Sequence, residues 1–267
     1  MPSAIDQINL AEMRKPSSVQ HYSQHTELSD AERAALDCVA VRASGRRILD
    51  IGVGGGRTVK ALLQVSPDYL GVDNSAEMVT ACRGRYPGVA FEHADARAMS
   101  ALPDASVHLA MFSCNGIGMV AHEDRLSVMR EVHRVLEPGG VFLFSTHNQN
   151  CPDQSAGFKL PELEFSRNPA RLAVRLMRFA WKVPVRLARR YRFRKHEVRT
   201  AEYSMINDVC HDYGVMLYYI TLANQRRQLE AMGFEKDAEA FDGDGVRMLG
   251  EGTHSSMMLI ARKALLN

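Results

Sequence analysis

Residues 46–56, Arg-Arg-Ile-Leu-Asp-Ile-Gly-Val-Gly-Gly-Gly, constrain this chain more than any other stretch. A short apolar run carries Asp50, and glycine then fills positions 52, 54, 55 and 56. Glycines this dense cost backbone entropy, so a fold keeps them where the chain must turn tightly or let something come close. The apolar run reads as a buried strand, the glycines as a turn bare of side chains, and Val59, Leu62 and Leu63 as the start of a helix. A strand, a bare turn and a helix N-terminus let a nucleotide-like ligand lie against backbone N–H groups.

Strand and helix patterns then alternate, which favours a parallel α/β sheet. Ser29 or Asp30 can cap a helix running to Ala43, behind a polar, irregular arm over residues 1–28. Tyr69 to Val72 reads as a second strand ending at Asp73, and Ser75 can cap the helix after it. Val89 to His93 is a third strand, followed by Ala94-Asp95-Ala96. Val107 to Phe112 is a fourth, ending at Ser113-Cys114-Asn115-Gly116. Leu126, Met129, Val132 and Leu136 give residues 123–136 a helical rhythm that Pro138-Gly139-Gly140 stops. Val141 to Ser145 is a fifth strand, ending near His147-Asn148. The repeat resumes with a helix over 222–232 and two last strands near 234–241 and 256–261.

Asp50, Asp73, Asp95 and Asn115 thus fall at four successive strand ends, where ligands of open α/β sheets bind. Asp73 is placed to accept the hydroxyls of a ribose, and Asp95 to accept from an exocyclic amine. A dinucleotide fingerprint does not fit, because its last glycine would have to be Arg57 or Val59.

These residues resemble the class I S-adenosylmethionine-dependent methyltransferases. Asp50-Ile51-Gly52-Val53-Gly54-Gly55-Gly56 matches the family's first motif, Asp73 its ribose-binding acid and Asp95 its adenine-side acid, with Ala96 supplying a backbone contact. Pro138-Gly139-Gly140 is a further family habit. The likeness covers residues 44–148 and, more weakly, 222–263. It implies S-adenosylmethionine as cofactor, held by Asp50, Gly52, Gly54, Gly56, Asp73, Asn74, Asp95, Ala96, Ser113 and Asn115. It also implies a Rossmann-like α/β fold: a seven-stranded, mostly parallel sheet, its last strand antiparallel, with helices on both faces and an inserted lid after the fifth strand. The expected division is an N-terminal arm and helix (1–43), a cofactor-binding core (44–148), an acceptor lid (149–221) and the end of the core sheet (222–267).

A sulfonium methyl already carries a good leaving group, so positioning dominates the chemistry, and a base is needed only for a protonated nucleophile. No metal-ligand spacing is visible. Ser113-Cys114-Asn115-Gly116 is not the Asn/Asp-Pro-Pro-aromatic motif of base- and glutamine-methylating enzymes, and no Pro-Cys nucleophile occurs, which favours a small-molecule acceptor over nucleic acid. His147, just past a strand end, and His211 are the candidate catalytic groups; Asn148, Tyr218 and Tyr219 are candidates for the acceptor side, with His254 a weaker one.

Composition adds limits. With 46% hydrophobic residues, 267 residues can bury a sizeable core. The N-terminus lacks a signal-peptide pattern, and five scattered cysteines point to a reducing cytoplasm. The net charge of +2 hides an asymmetry: residues 171–199 carry eleven Arg or Lys and one acid, Glu197. Arg171, Arg175, Arg178, Lys182, Arg186 and Arg189 keep helical spacing, and Leu172, Leu176, Phe179, Val183 and Leu187 follow one residue on. Pro184 is expected to kink this helix. One reading packs its apolar face as a lid with a solvated basic face; another lays residues 171–190 on a membrane as a peripheral contact. Two further alternatives stand: methylation of a membrane lipid or quinone, and a cofactor-binding protein without catalysis. Oligomeric state stays open.

Overall fold

A computed structural model of the chain describes residues 3–152, 157–163 and 165–265. Five strands, β1 (Ile48–Ile51), β2 (Tyr69–Asp73), β3 (Ala90–His93), β4 (Val107–Phe112) and β5 (Leu136–Asn148), form a parallel sheet in the order β3-β2-β1-β4-β5. The last strand (Ser256–Arg262, β10 in chain order) runs antiparallel beside β5 and pairs in turn with β9 (Glu239–Phe241). These are the seven expected strands.

Among the described residues the sheet nevertheless has ten. β4 ends beside Phe144 of β5, and β5 runs on to Asn148. Its exposed edge there is taken by β8 (Val215–Ile220), with His147 opposite Tyr219 and Asn148 opposite Ile220. β7 (Tyr203–Asp208) and the short β6 (Val198–Arg199) extend this flap antiparallel. The β7–β8 hairpin is therefore continuous with the core sheet, on the C-terminal side of β4.

Side-chain alternation along the strands builds a core on each face. Ile48, Leu109, Met111 and Leu143 pack under α3 (Asp30–Ala43), α4 (Val59–Val65) and α5 (Ala76–Arg85). Leu49, Ala110, Phe142 and Phe144 pack under α6 (His122–Val135) and α8 (Leu222–Ala231).

The structure corrects two local expectations. The supposedly irregular N-terminus forms α1 (Ala4–Met13) and α2 (Pro16–Gln24), the first set by a capping box between Ser3 and Asp6. Pro138-Gly139-Gly140 does not precede β5 but lies inside it, where Gly139 takes a φ of +77° and the register to β4 shifts. Pro184 lies inside α7 (Pro169–Phe193), which is helical over 25 residues.

Candidate cofactor cavity

A cavity of about 590 Å³ opens at the C-terminal ends of β1, β2 and β4 and is roofed by α1, α2 and the start of α3. Its floor is the glycine turn. Gly52, Gly54 and Gly56 all take positive φ, +63°, +53° and +81°, which side chains rarely adopt. Asp50 sits beneath, fully buried, and accepts from the hydroxyls of Thr58 and Tyr69. Burial pushes its carboxyl up to about 6 against those bonds. Asp50 does not line the cavity, and neither does Gly56; they fix the turn from below.

Asp73 does line it. One carboxylate oxygen accepts the Gly54 N–H at 2.9 Å and the other the Ser75 N–H at 2.8 Å, so the β2 acid sets the turn's shape. Burial raises its pKa despite those donors. Asn74, Asp95, Ala96, Ser113 and Asn115 also face the cavity. Asp95 is gripped by Arg97: Nε reaches its two oxygens at 2.9 and 3.0 Å, and a terminal nitrogen donates at 2.6 Å. Burial works to raise the Asp95 pKa, but Arg97 brings it below the usual carboxylate value. Arg97 also reaches Asp6 of α1 and Asp124 of α6, which ties the roof to the floor. Asn115 is held left-handed at φ +54° by a bond from its N–H to the Ser145 hydroxyl, and its buried side-chain oxygen has no partner within the protein.

Sequence reasoning missed two groups. The first is Glu32, which completes a capping box with Ser29, takes a two-pronged bond from Arg57 of the glycine turn, and accepts the Cys114 N–H. The Ser-x-x-Glu spacing was a readable signal for the cap, though not for the partner. The second is the His21-Tyr22-His25 face of α2, which lines the cavity above the glycines. Tyr22 shares a 3.1 Å hydrogen bond with His211 Nε2, and the His21 and His25 rings lie 4.8 Å apart. Burial raises the Tyr22 pKa, keeping its hydroxyl protonated.

The expected acceptor-side residues are not brought together there. His147, Asn148, His211, Tyr218 and Tyr219 all lie off the cavity wall. Asn148 is buried and donates to the Gly252 carbonyl, fastening a loop. Tyr218 and Tyr219 point to opposite faces, and both are buried. Tyr218 bonds His122 and Gln228 and stacks on Arg125; Tyr219 donates to Asp208. His147 packs against the Tyr219 ring, and burial pushes its pKa down to about 4. His211 reaches the cavity only through Tyr22. His254 sits between Asp242 and Asp244.

Comparison with known proteins gives these positions a context. Residues 48–140 match the family model described as a methyltransferase domain. A probable S-adenosylmethionine-dependent methyltransferase of Mycolicibacterium smegmatis is 35% identical over 112 residues, covering 42% of each chain. A ubiquinone biosynthesis O-methyltransferase of Pseudomonas aeruginosa is 28% identical over 153 residues, covering 54% of this chain and 65% of its own. The aligned stretches thus span 42% and 65% of these relatives' lengths. Among solved structures, the Burkholderia thailandensis 1,6-didemethyltoxoflavin-N1-methyltransferase, with bound 1,6-didemethyltoxoflavin and S-adenosylhomocysteine, superposes with a TM-score of 0.57. The superposition covers 99% of this chain and 92% of that one at 14% identity, a likeness of fold.

Proposed function

We propose that this chain, which belongs through residues 48–140 to the class I S-adenosylmethionine-dependent methyltransferases, moves the methyl group of that cofactor to an O, N or S atom of a small-molecule acceptor. One observation carries the reading: a single cavity joins the glycine turn and Asp73 to the His21-Tyr22-His25 face of α2. The first half fits the cofactor and the second leaves room for an acceptor.

The fit to the cofactor rests on three features. A Cβ built on Gly54 meets no atom nearer than the Gly52 carbonyl at 3.9 Å, so the turn leaves an open cradle on the cavity side. Asp73 uses one site on each oxygen for backbone N–H groups, and a carboxylate has about four, so capacity remains for two ribose hydroxyls. The unpartnered Asn115 oxygen offers a further acceptor. Asp95 has less to offer, since Arg97 occupies it; its proposed part is to lock Arg97, and through it Asp6 of α1, over the site. The bound cofactor would supply an activated methyl group on a sulfonium. What the protein adds is orientation and exclusion of water.

For a protonated acceptor, the groups at hand are His21 and His25, which line the cavity, and Tyr22 backed by His211. Burial lowers the His211 pKa, so its imidazole is neutral at pH 7 and can take a proton relayed through Tyr22. His147 is a weak base behind the β5–β8 junction, and we assign it no proton transfer. A second reading, an apolar or quinone-like acceptor, is supported by Leu10, Met13, Met119 and Val120 on the cavity wall and by the named activity of the Pseudomonas relative.

Calorimetric titration with S-adenosylmethionine and S-adenosylhomocysteine tests the cofactor. Asp73→Ala should weaken binding by about 1–3 kcal/mol, because ribose hydroxyls lose their acceptor. A wild-type chain that binds neither compound would end the proposal. Binding without label transfer across a small-molecule panel would favour a non-catalytic binder.

A further inference from the structure

Helix α7 sets a mixed face against the protein and leaves large apolar side chains toward solvent. Its half-buried side chains are five apolar ones, among them Leu172, Phe179, Val183 and Phe193, together with Arg175, Lys182, Arg186, Arg189 and Arg190, so cations share the inner face with part of the apolar stripe. Lys182 and Arg186 pair with Asp212, Arg189 with Glu12 of α1, and Arg190 with Glu197. The outer face carries Val174, Leu176, Met177, Trp181, Leu187 and Tyr191, all exposed, with Trp181 at 68% and Met177 at 67%. Exposed Phe165, on the segment leading into the helix, adds to the apolar surface. No residue of the 25 is buried. Half of the charge that looked like a solvated stripe is spent on fastening the helix, and the apolar side chains that do not turn inward are left uncovered.

We propose that α7 is a docking element for an anionic lipid surface, lying flat with its outer face in the headgroup and upper acyl region. Three features select this occupant. The helix contains no Asp or Glu, and Arg171 and Arg178 sit exposed within one turn of Val174 and Trp181, with Arg192 near its C-terminal end. That arrangement sets cations at the border of the apolar stripe, where lipid phosphates would lie. At 25 residues the helix is about 38 Å long, yet no helix among the described residues is long and apolar enough to cross a membrane, which suits lying on the surface. A second copy is disfavoured, because joining two such stripes would bring these arginines together with no carboxylate on either helix to offset them.

Trp181 is the sole tryptophan, so the full-length protein reports its own docking. With phosphatidylcholine vesicles containing phosphatidylglycerol, its emission should shift to the blue and be quenched by brominated acyl chains. Pure phosphatidylcholine should give a much weaker response, and added salt should reduce the anionic one. Met177→Glu, on the exposed face, should abolish the shift while leaving the melting temperature within a few degrees. The triple variant Arg171→Gln, Arg178→Gln, Arg192→Gln should lower partitioning about a hundredfold, taking roughly fivefold per basic side chain. An unshifted spectrum on anionic vesicles would overturn the proposal. So would equal binding to neutral vesicles, or a shift that needs no lipid and grows with protein concentration as dimers form. None of these readouts involves methyl transfer, so docking stands or falls independently of the proposed reaction.

Discussion

Each glycine of the 52–56 turn answers to a different neighbour, and substitutions there should separate binding from folding. A Cβ on Gly56 would lie 2.7 Å from the Tyr86 ring, and one on Gly55 would lie 2.4 Å from the backbone of Tyr22. Gly54 alone in the turn has open space before it. Gly54→Ala should therefore add only the strain of a left-handed alanine, about 1–2 kcal/mol, while its methyl enters the cradle and weakens S-adenosylhomocysteine binding by about tenfold. Gly56→Ala carries that strain plus a displaced ring and should lose about 2–3 kcal/mol in urea unfolding. A Gly54→Ala protein that binds like wild type would remove the cradle from the cofactor site. His147 makes a different residue-scale prediction. Burial, aided by Arg125, pushes its pKa down to about 4, with Asp208 pulling the other way. The folded state then binds fewer protons than the unfolded chain between pH 4 and the unperturbed value near 6.5, so this contribution to stability is complete above that value and lost as pH falls. Its size is up to about 3 kcal/mol, and His147→Gln should flatten the decline of the urea midpoint between pH 7 and pH 4.5. An unchanged slope would show that His147 ionises freely in the native state.

At the scale of elements, the strands and helices of residues 48–148 were legible because each carries its own period and its own stop. The glycine turn, the Ser75 cap and the rhythm from Leu126 to Val132 all act locally. What escaped was decided by partners distant in sequence. α1 is only ten residues long, and its Ile5 and Ile8 pack on a core that strands far along the chain complete. The orientation of α7 escaped for another reason. Periodicity shows that a helix has two faces, but which faces inward depends on Asp212, Glu12 and Glu197 waiting on other elements. The placement of the expected acceptor-side residues was set likewise, since an extended β8 buries Tyr218 and Tyr219 on opposite sides of a continuing sheet. Arg125 tests how these elements are joined. It is fully buried on α6, donates to the Ile117 carbonyl, Thr146 and Gln225, and stacks on the Tyr218 ring at 4.6 Å. No carboxylate is among these partners, and burial pushes its pKa down to about 10, so it remains charged at neutral pH. Arg125→Ala would orphan acceptors on three elements and leave a cavity, and should cost about 2–4 kcal/mol of unfolding free energy. A loss below 1 kcal/mol would mean that packing and the Tyr218–His122 bond hold the flap to α6 without Arg125.

On the scale of the whole molecule, the cavity is closed by parts of the chain that are far apart in sequence, and one side chain fastens the closure. Asn9 of α1 is buried, donates through Nδ2 to the carbonyls of Met119 and Met216, and accepts the Met216 N–H at 2.8 Å. It thereby takes the place of a neighbouring strand on β8, joining the N-terminal roof to the flap and to the turn after β4. Other ties of the roof include the Tyr22–His211 hydrogen bond and two ion pairs, Arg97 with Asp6 and Arg189 with Glu12. These are partly solvated and contribute less than a buried three-bond clamp. Asn9→Ala should therefore free α1 and α2 without unfolding the sheet. Amide exchange over residues 4–24 should accelerate by one to two orders of magnitude, in line with about 1–3 kcal/mol for buried groups left unpaired. Exchange in β1, β4 and β5 should stay near wild type. Because α2 lies on Gly55 and its Tyr22 lines the cavity, the same substitution should speed dissociation of S-adenosylhomocysteine more than it slows association. Uniformly faster exchange across the sheet would instead make Asn9 part of the global fold, and unchanged exchange throughout would mean that the remaining ties suffice to hold the roof.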